Sequence, residues 1–511
     1  MSHRQVVRIV IALALAWGAA PGGAGTPRGA TAHTSLPAPA GLCATADIRA
    51  PQRPSATIWI VQNNADSGTG SLRQAVLSAV TGDTIVFSSS LTGQVITLVC
   101  GEIAVNASIA INGSGAPGVA VDGASANRIF NIGPNAPVTL TALTLQRGFS
   151  SGNGGAVTAG AGSPLALTNT SVISSTAAGA GGGGGLYATA AVRATGGRFQ
   201  NNACTNANCF GGGLSASTLV ISGTHFITNT AGFGGGGANA SASAAIETGH
   251  FSGNTCVVAG CNGGGLRTVT LNMTRTTFTD NAALQTGGGA YLESVSTISG
   301  GSFQRNQSVL RGGGVMAVAS LTVAGTEFIA NRSNSDGGGI YLSAGALSVT
   351  NALFARNYSG SGRGAAMVFG ASGGGTLRHS TIASPTLASG SAVIALVGTL
   401  NITNTIIASH SIGISRTSGI VNENFNLFFA NTTDRVAGIS AGANTIYANP
   451  AFAQPAADNY HLSAASAARD TGVNIGIGVD FDGDARPIGP GFDIGFDETP
   501  WRPAFIPLVL R

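Results

Sequence analysis

The chain has 511 residues, of which 43% are hydrophobic and 9% are charged, and it contains 24 arginines and no lysine. A disordered chain of such low charge would also have low hydrophobicity, so this composition predicts a folded protein with a large core. The formal net charge of +4 provides no strongly basic surface for nucleic acid or for an anionic membrane.

Residues 1–32 have the pattern of a secretory signal peptide. Arg4 and Arg8 precede an apolar run at 9–17, which is too short to cross a bilayer, and small residues follow it. Cleavage after Ala20 and cleavage after Ala32 both fit. The later cleavage removes three arginines and no acid, so the net charge falls from +4 to +1. A buried N-terminal strand is the alternative interpretation.

Residues 33–56 contain four prolines and are predicted to be a linker. Residues 57–135 are predicted to form an N-terminal cap and the first turns of a repeat array. Ser71 and Gln74 have the spacing of a capping box, which predicts a short amphipathic helix between strands at 58–61 and 84–87. Repeat proteins need a polar-faced cap at an open end, and this helix would supply it.

A Phe-x-x-Asn motif recurs seven times at steps of 25 to 27 residues, and six of the copies are followed by a glycine run. The phenylalanines are Phe199, Phe226, Phe251, Phe278, Phe303, Phe328 and Phe354, and the asparagines are Asn202, Asn229, Asn254, Asn281, Asn306, Asn331 and Asn357. Related anchors extend the array to at least eleven turns, from Leu145 to Ile407, within a predicted repeat region at 136–415. Such a fixed period is typical of a solenoid.

The repeats alternate apolar and polar residues and are rich in Thr, Val and Ser, which favours strands over helices. A turn of about 25 residues is too short for a propeller blade. We therefore predict an all-β fold, a single-stranded right-handed parallel β-helix with a short N-terminal capping helix. Each Phe would point inward and stack on its neighbours, each Asn would occupy a left-handed corner and join an amide ladder, and each glycine run would form the next corner.

Six cysteines are an even number, as expected in an oxidising compartment. Equivalent cysteines in the repeats lie two turns apart, or roughly 10 Å, which exceeds the reach of a disulfide. We therefore predict local bonds, and elimination leaves one further pair. The predicted pairs are Cys204–Cys209, Cys256–Cys261 and Cys43–Cys100.

The repeat region shows no pair of carboxylates placed for acid–base catalysis. Residues 136–415 contain five carboxylates, at different positions of the repeat, so no glycosidase pair can be placed. Arg311, Asp336 and Arg363 each precede a glycine corner in consecutive turns. They form either a surface ion ladder or an anion or uronate site with an arginine base. The sequence assigns no catalytic residue, and these three residues are the candidates.

Two further groups are candidates for binding. Tyr291, Met316 and Tyr341 follow the inward residue of consecutive turns, so they are expected to face outward as a sugar-stacking or partner-binding stripe, or as cover for a loop. Asp480, Asp482 and Asp484 have the alternating spacing of half a calcium loop. A polar turn is the alternative, and the sequence implies no other cofactor.

Residues 416–498 are predicted to close the solenoid. The apolar tail, 499–511, is predicted to be a last strand or an envelope-attachment signal.

Three motifs resemble known families. The Phe-x-x-Asn and glycine repeats resemble the polymorphic outer membrane protein repeat of bacterial surface β-helices. Residues 64–76 and 82–85 resemble the start of secreted pectate-lyase-like β-helix proteins, and residues 480–487 with 493–498 resemble the choice-of-anchor module that closes many of them. The resemblance covers roughly 58–498 and implies an exported, cell-surface or extracellular scaffold of adhesin type with glycan or protein partners. An Arg-dependent polysaccharide lyase is the alternative that this fold allows.

Overall fold

The computed structural model describes residues 56–370 and 373–499. The predicted signal peptide, almost all of the predicted linker and the tail from residue 500 lie outside the described residues. The described chain is an all-β parallel solenoid of about 14 turns, with only 3% helix. The predicted fold class, a parallel β-helix, is therefore confirmed.

The described turns contribute strands to four ladders, which are named by their order within the turn, and those before Phe149 and after Ser359 have no strand in ladder four. Ladder one follows the glycine corner and contains Ile103–Val105, Phe130–Ile132, Val157–Ala159, Leu186–Ala188, Ala290–Leu292, Val315–Ala317, Ile340–Leu342, Met367–Phe369 and Thr433–Arg435. Ladder two contains Ile58–Val61, Thr84–Phe87, Ile109–Asn112, Val138–Thr141, Leu165–Thr168, Ala191–Thr195, Ser296–Ser299, Leu321–Ala324, Leu347–Thr350, Gly375–Arg378, Thr399–Thr403 and Ile420–Asn424. Ladder three contains Val95–Thr97, Ala120–Asp122, Thr144–Gln146, Ser171–Ile173, Arg198–Gln200, His225–Ile227, His250–Ser252, Thr277–Thr279, Ser302–Gln304, Glu327–Ile329, Leu353–Ala355, Leu427–Phe429 and Ile446–Tyr447.

Five long strands belong to two ladders each, so ladders one to three form one continuous sheet. These strands are Leu214–Ser222, Ala238–Glu247, Leu266–Thr274, Thr381–Ala395 and Ile406–Arg416. Ladder four is a separate sheet of two-residue strands: Phe149–Ser150, Thr176–Ala177, Ala203–Cys204, Thr230–Ala231, Thr255–Cys256, Ala282–Ala283, Gln307–Ser308, Arg332–Ser333 and Tyr358–Ser359. All pairings within the four ladders are parallel.

The phenylalanines form one internal stack, as predicted. Neighbouring rings from Phe199 to Phe354 lie 4.5 to 5.2 Å apart between centroids, with interplanar angles of 4° to 7°. The same column continues in register through Leu145 and Val172 before the stack, and through Ile382 and Ile407 after it. Its members are buried because alternate residues of each ladder-three strand point into the solenoid.

The asparagines form a ladder that satisfies the buried backbone at the corner. Asn281 is fully buried, and its Oδ1 accepts from the backbone N–H and the side-chain amide of Asn254 at 3.0 and 2.9 Å. Its Nδ2 donates to the carbonyl of Phe251 and to Oδ1 of Asn306, both at 2.9 Å. Each rung therefore uses the rung before and the rung after it, which requires the same residue at every turn.

The predicted left-handed conformation of the asparagines is wrong by one residue. The positive φ falls on the residue before each ladder asparagine, for example 56° at Asp280 and 53° at Arg305. The amide must point inward to reach its neighbours, so the corner itself is made by the preceding residue. This corner position carries Asn, Thr, Gly, Asp, Arg and Ala in different turns, which hides it from a search for turn residues.

Two positions in the glycine run need glycine for different reasons. Gly263 has φ of +74°, a conformation that side chains rarely adopt. Gly265 has an ordinary φ, but a Cβ there would lie 2.9 Å from the Phe278 ring and 2.6 Å from the carbonyl oxygen of Gly289. The run therefore combines a sharp corner with close approach of the corner to the Phe stack.

The predicted helix, α1, spans Leu72–Ser78, and the Ser71 side chain accepts from the N–H of Gln74 at 3.2 Å. Leu72 and Val76 belong to the main buried core. Arg73 on its other side binds Asp66 at 2.7 Å and the carbonyls of Gly101 and Glu102. Residues 64–76 thus fix the helix to the first turns, while its role as a cap stays a prediction.

The two local disulfides are confirmed, with Cα–Cα distances of 6.1 Å for Cys204–Cys209 and 5.9 Å for Cys256–Cys261. Each bond closes a loop next to ladder four. Cys43 lies outside the described residues, so the predicted bond between Cys43 and Cys100 stays a prediction.

The last described part of the chain folds back along the outside of the solenoid. Residues 449–499, called the closing segment, contain the antiparallel strands Phe452–Gln454 and Asn459–Leu462. The 3₁₀ helix Pro455–Ala457 lies between these strands, and another, Ser89–Leu91, lies in the first turns. Tyr460, Ile494 and Phe496 pack on the outward residues of late ladder-three strands, including Leu353 and Ile406. The segment therefore covers one side of the last turns.

Candidate functional site

The candidate residues Arg311 and Asp336 lie on consecutive rungs, joined by an isolated parallel bridge before the glycine corner. Their side chains do not form the expected alternating ladder. The Arg311 guanidinium lies over the Tyr341 ring, 4.8 Å from its centroid. Nε of Arg363 lies 3.9 Å from Asp336, whose Oδ1 accepts from the Ser361 hydroxyl at 2.8 Å. The group is one ion pair and one cation–π contact, and its role in binding or catalysis stays a prediction.

The stripe of Tyr291, Met316 and Tyr341 occupies one register column of ladder one and points away from the main core, as expected. The stripe offers little exposed surface, because Met316 and Tyr341 are only 7% and 6% exposed and Tyr291 is half-buried. Met316 and Tyr341 form an apolar cluster with Val368 and Ile394, and Tyr291 packs against this cluster. This low exposure agrees with the interpretation of the stripe as cover for a loop, and its role in binding stays a prediction.

The three aspartates of the predicted calcium loop do not converge. Asp480 is buried, and its Oδ1 accepts from the N–H groups of Asp482, Gly483 and Asp484 at 2.8 to 2.9 Å. Its Oδ2 accepts from the N–H of Glu498 at 2.9 Å. Because all four contacts are backbone donors, Asp480 closes a turn and fixes the end of the closing segment. This arrangement agrees with the polar-turn alternative, and the calcium site stays a prediction.

A buried ion pair connects residues 480–487 with residues 493–498. Nη1 of Arg486 lies 2.7 Å from Glu498, and both side chains are almost fully buried. The guanidinium also donates to the carbonyls of Asp493 and Gly495. Burial raises the pKa of Glu498 to about 6, against the opposing effect of Arg486. Arg486 and Glu498 therefore hold the segment together and are not available to a ligand.

The closing segment brings together a different group, His461, Asp482 and Asp497, whose ligand atoms all lie within 4.8 Å of one another. Nε2 of His461 lies 2.8 Å from Oδ2 of Asp482, and Nδ1 lies 2.8 Å from Oδ1 of Asn459. Oδ2 of Asp497 accepts from the N–H of Leu462 at 2.6 Å. Burial raises the pKa of Asp497 to about 6. The three residues are separated by 15 to 36 positions, so no spacing motif could reveal them.

Glu327 extends this group from the solenoid side. It is the outward residue next to Phe328 on ladder three, one rung before Leu353, where the covered surface begins. Burial raises the pKa of Glu327; the carboxylates of Asp458 and Asp482 add to the rise, and His461 opposes it. Glu327 therefore interacts electrostatically with charged groups of the closing segment.

A separate polar surface runs along ladder two. Seven outward residues occupy one register column in consecutive turns, and each is exposed or half-exposed. This polar column consists of Asn272, Thr297, Thr322, Ser348, Thr376, Asn401 and Asn422. Within it, the Asn422 amide donates to Asn401 at 2.9 Å. Earlier rungs of the same column carry Ala166, Arg193, Val220 and Ala245, so the uninterrupted run of amides and hydroxyls belongs to the later turns.

The fold and its surfaces define a parallel β-solenoid with a docked closing segment. No protein-family model matches the chain, and the search of curated proteins finds no match either. None of the described helices is long and apolar enough to cross a membrane.

Proposed function

We propose that the protein is an exported β-helix scaffold that acts at the cell surface or beyond it and binds glycans through the polar column. The single observation that carries this proposal is the column itself, seven consecutive rungs of outward amides and hydroxyls. Parallel strands place neighbouring rungs about 4.8 Å apart. Amide and hydroxyl groups donate and accept hydrogen bonds, as sugar hydroxyls do.

Export is supported by residues of two kinds. The N-terminal sequence has the signal-peptide pattern, and two local disulfides stabilise lengthened loops in the array. Disulfides persist in oxidising compartments and are rare in the cytosol. Envelope attachment through the C-terminal tail belongs to the same proposal and rests on sequence alone.

The lyase alternative has less support than the scaffold. An arginine base needs a free guanidinium beside substrate, whereas Arg311 stacks on Tyr341 and Asp336 is buried against Ser361. A panel of uronate polymers, followed by the ultraviolet absorbance of unsaturated products, tests this alternative. Cleavage that is lost in Arg311→Ala would replace the scaffold proposal with the lyase.

A glycan array with the full chain, expressed with its own N-terminus, tests the binding proposal. Thr297→Arg with Thr322→Arg places two long side chains in the middle of the polar column, and we expect retention of bound glycans to fall at least tenfold. Thr139→Arg is the matched control, because it changes the same ladder in the early turns. Retention that is absent in the unmodified chain, or equal in both variants, would count against the polar column.

A further inference from the structure

We propose that His461, Asp482 and Asp497 bind a divalent transition-metal ion of the zinc class, and that this ion clips the closing segment together beside the solenoid. The site is distinct from the polar column. It is also distinct from the sequence-predicted calcium loop, with which it shares only Asp482.

The first support is the donor set. One imidazole nitrogen and two carboxylates come from three separated points of the closing segment and converge within 4.8 Å. Imidazole favours zinc, copper, iron or nickel over calcium and magnesium, which take oxygen ligands. Three protein ligands leave a further position for water or another oxygen.

The second support is the state of the His461 ring. Asn459 Oδ1 can only accept, so Nδ1 of His461 must carry a hydrogen. In the neutral ring, Nε2 then presents its lone pair to the Asp482 carboxylate, 2.8 Å away. Two acceptors at this distance need a cation, which is either a second proton or a metal ion. A metal-bound histidine commonly has its other nitrogen fixed by such an oxygen.

The third support is Asp497. Its side chain is more than nine-tenths buried, and Oδ2 accepts from Leu462. One carboxylate oxygen of Asp497 belongs to the converged group. Asp480 and Asp482 add further negative charge around it. A bound cation stabilises a buried carboxylate that lies among other negative charges.

The three ligands come from three different parts of the closing segment. His461 lies on the second strand of the hairpin, Asp482 on the Asp480 turn and Asp497 beside the buried Arg486–Glu498 pair. One ion would therefore join three parts of a segment that has little regular secondary structure. Glu327 lies at the edge of this segment, on the solenoid.

Zinc binding by the full chain, measured by isothermal titration calorimetry after chelator treatment and dialysis, tests this proposal. We expect one Zn²⁺ per chain, affinity at least tenfold lower in His461→Ala and in Asp482→Asn, and a zinc-dependent rise in the unfolding temperature that both variants lose. Asp484→Asn is the matched control: it lies on the same turn and outside the converged group, so it should keep full affinity.

The opposing outcomes are distinct. If the unmodified chain binds no zinc, the His461–Asp482 contact is a protonated ion pair only and the proposal is overturned. It is also overturned if zinc binds equally to His461→Ala, or if calcium binds and Asp484→Asn abolishes that binding, which is the behaviour of the aspartate loop.

Discussion

The outward face of ladder three has two halves that differ in one respect. In the early turns it carries Arg198, His225 and Thr277, which are exposed or half-exposed. From Leu353 onward the same column carries Leu353, Thr381, Ile406 and Leu427, all buried under the closing segment. The inward residues hardly change between the halves. The inward residues of ladder three therefore define the solenoid. Its outward residues become apolar or buried where the closing segment packs on the solenoid.

The two halves are also stabilised in different ways. In the repeats, the buried corner asparagines bond to their copies one turn away, as in the Asn281 ladder. In the closing segment, buried charged groups bond to unique partners, as in the pair of Arg486 and Glu498. Damage should therefore spread along the repeats and stay local in the closing segment.

The largest effect is expected in the stack. Phe278→Ala removes a fully buried ring that lies between neighbours at 4.5 and 4.7 Å, and we expect a loss of about 4 kcal/mol in unfolding free energy. Urea denaturation measures it. Phe149→Ala is the control, because Phe149 is 38% exposed, and it should change stability by less than about 0.5 kcal/mol. Equal effects of the two would contradict the internal stack.

The next effect tests the closing segment. Arg486→Met leaves Glu498 buried without its partner, at an expected cost of about 3 kcal/mol. Hydrogen exchange should quicken in residues 449–499 and stay unchanged at Phe199–Phe303. Arg356→Met removes an exposed ion pair with Asp458 and should cost less than about 1 kcal/mol. Faster exchange throughout the solenoid would mean that the two regions unfold as one.

A smaller effect is expected from a disulfide within the repeats. Cys256→Ala with Cys261→Ala opens a six-residue loop, and loop-closure entropy gives a loss of about 2 kcal/mol. The equivalent change at Cys204 and Cys209 should give a similar loss, measured by thermal unfolding. A loss in one pair alone would show that the loops are not equivalent.

The smallest effect is a pH dependence in the late turns. Burial lowers the pKa of His410 to about 4, whereas an unfolded histidine has a pKa of about 6.5. Between pH 6.5 and pH 4 the unfolded chain therefore binds a proton at His410 that the folded chain does not bind. The contribution of neutral His410 to folding stability is complete above pH 6.5 and is lost as the pH falls toward 4. At pH 5.5 the expected loss is about 1.4 kcal/mol.

His410→Gln should reduce this dependence in urea denaturation, and a part should remain because burial also lowers the pKa of His379 to about 3. A steeper loss on acidification in His410→Gln than in the unmodified chain would contradict the assignment.

The sequence by itself determined the period, the internal Phe stack, the Asn ladder and the local disulfides. These features depend on contacts between equivalent residues of adjacent turns, so repetition makes them visible. Only the tertiary structure decided that Met316 and Tyr341 are covered, that Asp480 closes a turn and that His461 meets Asp482 and Asp497. Those contacts join residues without a common repeat position, and their geometry depends on how the chain folds back on the array. The repeat pattern of the sequence therefore does not predict how the closing segment packs on the solenoid.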